Sequence, residues 1–147
     1  MLKPTKILVP TDFSEYSDRA LGQALDIAKQ YGAKVYVLHI LHEEFYHFED
    51  LDNIADTWKI MEDSQLTRAR ENLQKQLDKF PESKEVEVIA DIRRDLPYEA
   101  ILEEASQRAI DLIVIASLGQ SGIAKYFIGS VARNVLKGSK CPVLLTK

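Results

Sequence analysis

Short apolar runs alternate with longer segments of helical periodicity along the chain. Three of the runs are almost continuously apolar, which is typical of strands covered on both faces in a parallel sheet. A weaker run alternates between apolar and polar residues, which predicts a strand at an edge or with a half-exposed face. The predicted strands cover residues 6–10, 34–40, 85–89, 111–116 and 142–146.

The segments between these runs place apolar residues three and four positions apart, so each predicts an amphipathic helix. Ser14 is a candidate N-cap of the first helix and Gly32 its C-terminal stop, and Pro97 stands at a favoured first-turn position of the third. The predicted helices cover residues 14–31, most of 51–80, 97 to just before 111, and about 130–136. This strict alternation of strands and helices predicts right-handed crossovers and a doubly wound parallel sheet.

In a doubly wound sheet a ligand lies outside the carboxyl ends of the strands, where the strand order reverses. The segments that follow the strands are therefore the first places to look for a site. We single out residues 11–14, 41–48 and 117–130.

A glycine-rich segment follows the fourth predicted strand. Gly119 and Gly122 precede an apolar and basic stretch, after which Gly129-Ser130-Val131 opens a helix. Glycines before a helix let the backbone approach a phosphate, and the N–H groups of the first helical turn attract anions. The segment lacks both the Gly-Lys-Ser/Thr of a P-loop and the G-x-G-x-x-G pattern. A phosphate cradle and a simple turn with close helix packing therefore both stay open.

Asp12 stands at the carboxyl end of the first predicted strand. A carboxylate there can accept hydrogen bonds from the hydroxyls of a ribose, as acidic residues do in other doubly wound nucleotide sites. The alternative is that Asp12 or Ser14 caps the helix that follows.

Composition narrows the class of protein. The chain has 147 residues, of which 46% are hydrophobic and 29% charged, so we expect one domain over residues 1–147 rather than a disordered chain. A net charge of -4 argues against a protein that coats nucleic acid. The single cysteine, Cys141, excludes an internal disulfide and suits a reducing compartment. We expect no membrane span and no secretory signal, and hence a cytoplasmic location.

Three segments carry a resemblance over the full length of the chain: KILVPTDFSEYSDRAL near the start, DLIVIAS at the fourth strand, and GSVARNVLKGSKCPVLLTK at the end. They resemble the universal stress protein family. The resemblance implies a five-stranded, doubly wound, Rossmann-like parallel sheet with strand order 3-2-1-4-5. Nucleotide-binding members carry G-x2-G-x9-G-(S/T) after the fourth strand. Nine residues separate Gly119 from Gly129-Ser130, so Gly119 takes the second glycine position and Ala116 stands at the first.

The resemblance also implies roles for residues of a nucleotide site. Asp12 and the backbone near Ala116 would hold the ribose. Pro10 and Ile40 would line the adenine. Phosphates would be held by the Ser130 hydroxyl and by the backbone N–H groups of Gly119, Gly129, Ser130 and Val131. The full predicted site consists of Pro10, Thr11, Asp12, Ile40, Ala116, Gly119, Gly129, Ser130 and Val131.

Ala116 is the one departure from the motif. Alanine is strained if the first glycine serves a positive φ, and is tolerated if the glycine only leaves room beside the sugar. From the sequence both alternatives stay open.

The function implied is a stress-response protein that binds ATP or AMP as a nucleotide-responsive regulatory module, with at most slow ATP hydrolysis. Mg²⁺ would accompany ATP through its phosphates. We also expect a homodimer formed by antiparallel pairing of the last strand, Val143-Leu144-Leu145, since an apolar edge strand is a pairing surface. The alternative is that Lys140 and Lys147 shield this edge and that the protein is a monomer. The alternative function is an interaction protein of the same family that dimerises and binds no nucleotide.

Other features suggest less. His39, His42 and His47 cluster near the second strand, but no cysteine or carboxylate stands at recognisable zinc-ligand spacing, so we interpret His39 as packing by the sheet. Lys125 is interpreted as a solvated loop lysine, although it lies where it would approach a phosphate. Arg93 and Arg94 are interpreted as surface charges.

Overall fold

The computed structural model describes residues 2–41, 54–119 and 128–147, and within them strands and helices alternate as predicted. The strands are β1 (Lys6–Thr11), β2 (Lys34–Leu41), β3 (Val88–Arg94), β4 (Leu112–Ala116) and β5 (Val143–Thr146). The α-helices are α1 (Glu15–Tyr31), α2 (Ile54–Asp78), α3 (Pro97–Gln107) and α4 (Ser130–Gly138), and a 3-10 turn covers Pro81–Lys84.

The strands form one five-stranded sheet in the order β3-β2-β1-β4-β5, and every pairing is parallel. The predicted fold is confirmed. The order reverses between β1 and β4, because the chain first builds outward through β2 and β3 and then returns to the other side of β1.

Helices cover both faces of the sheet. Ile7 and Val9 pack with α1 and with Leu73 of α2 on one face, here called the α1/α2 face, whereas Leu8 packs with Ile101 of α3 and with α4 on the opposite, α3/α4 face. Successive residues of the central strands are therefore buried on alternate faces of the sheet, which explains why these strands are almost continuously apolar.

The ends of α1 follow from its sequence. The Ser14 hydroxyl accepts a hydrogen bond from the Ser17 N–H at 3.2 Å, so Ser14 is the N-cap. Gly32 ends the helix with φ 69°, in the left-handed region that glycine adopts without strain. Both predicted helix signals are confirmed.

The predicted third strand is displaced from the observed one. Residues 85–89 were expected to form it, but β3 covers Val88–Arg94, and its pairing with β2 runs from Val35 opposite Val88 to Leu41 opposite Arg94. The 3-10 turn that begins at Pro81 delays the strand by a few residues. The second half of β3 contains charged residues, so the hydrophobicity pattern did not indicate that the strand continues there.

Those charges belong to an ion-pair network between β3 and α3. Arg93 pairs with Glu103 at 2.9 Å and with the buried Glu104 at 3.2 Å. Arg108 pairs with Glu104 at 3.1 Å and also with Asp91. Such partners offset the desolvation cost of Glu104.

Arg94 is also engaged. It donates to the side chain of Gln65 and to the backbone carbonyl of Glu62, both on α2. The interpretation of Arg93 and Arg94 as plain surface charges is therefore wrong: both side chains fasten the edge strand to the helices beside it.

Candidate functional site

A cleft of about 260 Å³ opens at the carboxyl ends of β1 and β4, where the strand order reverses. This is the position at which doubly wound sheets bind ligands. Every residue of the predicted site lines it: Pro10, Thr11, Asp12, Ile40, Ala116, Gly119, Gly129, Ser130 and Val131. The tertiary structure therefore brings together residues that lie more than a hundred positions apart in the chain.

Asp12 lies in the turn between β1 and α1. Its Oδ1 accepts a hydrogen bond from the Ser14 N–H at 3.0 Å, which fixes the carboxylate relative to the turn. Helix capping, the alternative role, belongs to Ser14. A Cβ atom built on Gly119 would stand 2.8 Å from Asp12 Oδ2. Because Gly119 has no side chain, there is room for the Asp12 carboxylate beside the cleft.

Thr11 lines the cleft, and its hydroxyl is engaged by residues of α1 and α2. The hydroxyl hydrogen-bonds to Gln76 at 2.8 Å and lies 3.0 Å from the Ser17 hydroxyl. It also accepts from the Phe13 N–H at 3.1 Å. These bonds fix the Thr11 side chain at the end of β1.

His39 lines the cleft and packs against Phe13. Its ring stacks on Phe13 with centroids 4.2 Å apart, and its Nδ1 lies 2.8 Å from the Thr11 carbonyl oxygen. A carbonyl oxygen only accepts, so Nδ1 carries the proton. Burial lowers the pKa of His39, while the Thr11 carbonyl and the charge of Asp12 oppose this shift. The imidazole is therefore neutral at pH 7, and its interpretation as a packed histidine is confirmed.

Metal binding has no support within the described ranges. Residues 2–41, 54–119 and 128–147 contain no group of three histidine, cysteine or carboxylate side chains placed to hold a metal ion. His42, His47 and Lys125 lie outside those ranges, as does most of residues 43–56.

The N-terminus of α4 faces the cleft. No side chain caps this helix at Gly129, and its first turn contains no acidic residue. The N–H groups of Ser130 and Val131 belong to the first turn, where helical geometry supplies no carbonyl partner. Together with the positive end of the helix dipole, they suit an anion.

Gly129 differs from its predicted role. Its N–H donates to the Ser117 carbonyl at 2.7 Å, so it holds the end of β4 against the start of α4 instead of facing a phosphate. A Cβ atom at this position would meet the same carbonyl oxygen at 3.3 Å. The glycine thus serves close approach between two backbone segments.

Ala116 occupies an unstrained position. It is the last residue of β4, opposite Thr146 of β5. Among described residues positive φ occurs at Phe13, Ala109 and Gly32, and not at Ala116. Ala116 also packs against the core cluster on the α1/α2 face. Of the two alternatives for this position, a required positive φ is excluded in this chain.

Further lining residues were missed by the sequence analysis. Pro97 and Ile101 of α3 contribute to the cleft. Because the third strand was predicted too early, residues 95–97 were not recognised as a segment that follows a strand. Correct placement of β3 would have identified Pro97, whereas Ile101 carried no signal beyond helical periodicity.

Comparison with known proteins gives a consistent result. The family model described as "Universal stress protein family" matches residues 4–147. Universal stress protein MJ0531 of Methanocaldococcus jannaschii is 32% identical over 142 residues, with 97% of this chain and 81% of that protein covered.

Solved structures agree in fold. Universal stress protein UspA from Lactobacillus plantarum gives a TM-score of 0.84 at 22% identity, with 100% of both chains covered. Protein MJ0577 of Methanocaldococcus jannaschii gives 0.80 at 28% identity, with 99% of this chain and 97% of that chain covered.

Two further fold neighbours were solved with nucleotides. One is a universal stress protein in complex with cAMP, with a TM-score of 0.68, 24% identity and coverage of 99% and 98%. The other is a universal stress protein from Archaeoglobus fulgidus in complex with dAMP, with a TM-score of 0.70, 23% identity and coverage of 99% and 100%. The family model matches nearly the whole chain, and the strand order of the sheet is the one predicted for that family. The chain therefore belongs to the universal stress protein family.

Proposed function

We propose that this protein binds an adenine nucleotide, ATP or AMP, in the cleft between β1 and β4. The observation that carries the proposal is that one cleft combines a carboxylate at the end of β1, apolar walls and the uncapped N-terminus of α4. These are the three kinds of surface that a ribose, a base and a phosphate require.

Each part of the nucleotide has matching residues. Asp12, with the backbone near Ala116, accepts hydrogen bonds from the ribose hydroxyls. Pro10 and Ile40 contact the adenine ring, together with Ile101 of α3. The N–H groups of Ser130 and Val131 and the Ser130 hydroxyl bind phosphate. Mg²⁺, when it accompanies ATP, is held by the phosphate oxygens.

We propose further that the bound nucleotide regulates the protein and is not turned over at an enzymatic rate. Phosphoryl transfer requires a positioned nucleophile and a group that stabilises the charge in transfer. In the described part of the cleft, the titratable side chains are Asp12, held in its turn, and His39, stacked on Phe13. The protein then acts as a cytoplasmic stress-response module whose single domain spans residues 1–147.

Relatives support an adenine ligand. Two proteins that share this fold were solved with cAMP and with dAMP. Both ligands contain adenine, a sugar and one phosphate, the three groups to which the residues of the cleft are assigned above.

The test is to denature freshly purified protein and analyse the released small molecules for adenine nucleotides, with added AMP and ATP titrated by calorimetry in parallel. We expect binding by the wild-type protein and similar binding by Ala116→Gly, because Ala116 is unstrained. No binding by either protein would contradict the proposal. Binding by Ala116→Gly alone would favour the alternative, an interaction protein that does not use nucleotide.

A second candidate function rests on β5. This strand lies at an edge of the sheet, and its central residue Leu144 is 37% exposed. The carbonyls of Pro142 and Thr146 accept from β4, so the peptide groups of Val143 and Leu145 point to the open edge. This geometry supports a homodimer formed by pairing of two β5 strands, with or without nucleotide.

A further inference from the structure

Gln76 is a polar residue at a core position of α2. It is 2% exposed and lies on the same helical face as the buried Ala69 and Leu73. A helical position with this spacing normally has an apolar side chain. A buried amide lowers stability unless its oxygen and its nitrogen both find partners. The partners of Gln76 therefore indicate what a glutamine does here that a leucine would not.

The orientation of the Gln76 amide follows from its neighbours. Its Nε2 donates to Asp18 Oδ1 at 2.8 Å, and the other oxygen of Asp18 is paired with Lys79 at 2.9 Å. The reverse orientation would set the amide oxygen against a carboxylate. Oε1 therefore faces the Thr11 hydroxyl, 2.8 Å away, and Thr11 must be the donor.

Because the Thr11 hydroxyl donates its proton to Gln76, its oxygen keeps a lone pair that can accept a hydrogen bond from the residue two positions further on. The Phe13 N–H donates to it at 3.1 Å. Phe13 has φ 66°, a left-handed conformation that is strained for a bulky residue and persists only where its surroundings fix it. The chain of hydrogen bonds from Asp18 through Gln76 and Thr11 thus ends on the strained residue that follows Asp12.

Gln76 stands outside the cleft but touches its wall. It does not line the cleft; it reaches the end of β1 from the α1/α2 face, where its partners Thr11 and Ser17 are buried and line the cleft. Asp12, one residue after Thr11, also lines the cleft. A change at Gln76 therefore reaches a bound nucleotide through these partners, of which Thr11 begins the turn that carries Asp12.

We propose that Gln76 is a positioning residue of the nucleotide site, which through the Thr11 hydroxyl holds residues 11–14 in the conformation that presents Asp12 to the ribose. The inference rests on the proposed function, because it assigns Gln76 to that same site.

The test compares three variants with the wild-type protein, using AMP as the probe and calorimetry well below the thermal midpoint. Gln76→Met removes the amide at similar volume. Gln74→Met is the matched control, because Gln74 is exposed on the same helix and hydrogen-bonds only to Asp78 among the contacts given by the structure. The double variant Thr11→Val/Gln76→Met removes the Gln76 amide and the Thr11 hydroxyl together, so the hydroxyl is not left without its acceptor, and the Phe13 N–H loses its partner.

We expect Gln76→Met to weaken AMP binding roughly tenfold, and Gln74→Met to bind like the wild-type protein. In the double variant AMP binding should stay weak, because the Phe13 N–H has lost its acceptor. A purely structural role for Gln76 would leave AMP binding by folded Gln76→Met equal to that of Gln74→Met. Where Gln76→Met alone folds poorly, the double variant still tests the proposal, because it removes the whole link from Gln76 to the Phe13 N–H.

Two results overturn the inference, and they are distinguishable. AMP affinity of the double variant equal to that of Gln74→Met overturns the positioning role and leaves the proposed function intact. No AMP binding by the wild-type protein overturns the proposed function, and the inference falls with it.

Discussion

At the scale of single residues, two positions of the glycine motif behave in opposite ways. Ala116 shows that the first position needs no left-handed backbone, and its side chain joins the packed core. Gly119 is constrained by space instead: a methyl group there would stand 2.8 Å from Asp12 Oδ2. The motif therefore tolerates a side chain at position 116 and resists one at position 119.

Gly119→Ala should weaken AMP binding roughly tenfold or more, because the added methyl group displaces the carboxylate proposed to bind the ribose. Its effect on the thermal midpoint should be small, since the displaced group is the end of a side chain. Gly32→Ala is the control. With φ 69° and open space around it, Gly32 should lose about 1 kcal/mol of stability and no affinity. Unchanged AMP binding by Gly119→Ala would contradict the role given to Asp12.

At the scale of secondary structure elements, the start of α4 is the proposed phosphate site. Gly129 is extended, with φ -57° and ψ 154°, and its N–H donates to the Ser117 carbonyl. The next residue begins the helix without a side-chain cap. The proposed binding of an anion here would depend on backbone N–H groups and so requires no excess of basic side chains in a chain of net charge -4.

Ser130→Pro tests this element, because proline is favoured in the first helical turn and the extended Gly129 suits a residue before proline. The change removes one N–H and one hydroxyl while the helix is kept. We expect AMP affinity to fall roughly tenfold and adenosine affinity to stay the same, as measured by calorimetry. Ser130→Ala, which removes the hydroxyl alone, should have a smaller effect. An equal loss for adenosine would mean that the variant damages the cleft as a whole.

At the scale of the whole molecule, the two edges of the sheet differ. β3 is fastened to α3 by Arg93, Glu104, Arg108 and Asp91, and Arg94 ties it to α2. β5 ends the sheet on the other side with an exposed leucine at its centre. An apolar edge strand is a surface for pairing with a second copy.

None of the helices in the part of the chain described by the structure is long and apolar enough to cross a membrane.

Leu144→Lys should convert a dimer into a monomer, because a charged side chain on an edge strand opposes pairing with another strand. Sedimentation velocity at matched concentrations measures the change. Ile60→Lys, at a more exposed apolar position on α2, is the control and should leave the oligomeric state unchanged. A wild-type protein that sediments as a monomer would contradict the proposed dimer and favour an edge shielded by Lys140 and Lys147.

The order and type of the elements were predictable from hydrophobic periodicity, since strands buried on both faces must be apolar at every position. The exception is informative. Asp91 and Arg93 lie within β3, yet their polarity is explained by Glu104 and Arg108, which are more than ten residues away. A local pattern has no access to such partners, so the strand was predicted too early and Pro97 was missed at the cleft.

Sequence by itself determined the alternating elements, the caps of α1 and the candidate site residues, because these depend on local periodicity and on a spaced motif. Only the tertiary structure decided that Ala116 is unstrained, that the Gly129 N–H donates to Ser117, and that Gln76 hydrogen-bonds to Thr11 beside Asp12. Each of these depends on a backbone angle or on atoms that meet across the fold. Such contacts form only when separate elements pack against each other, so they cannot be predicted from any one segment of the sequence.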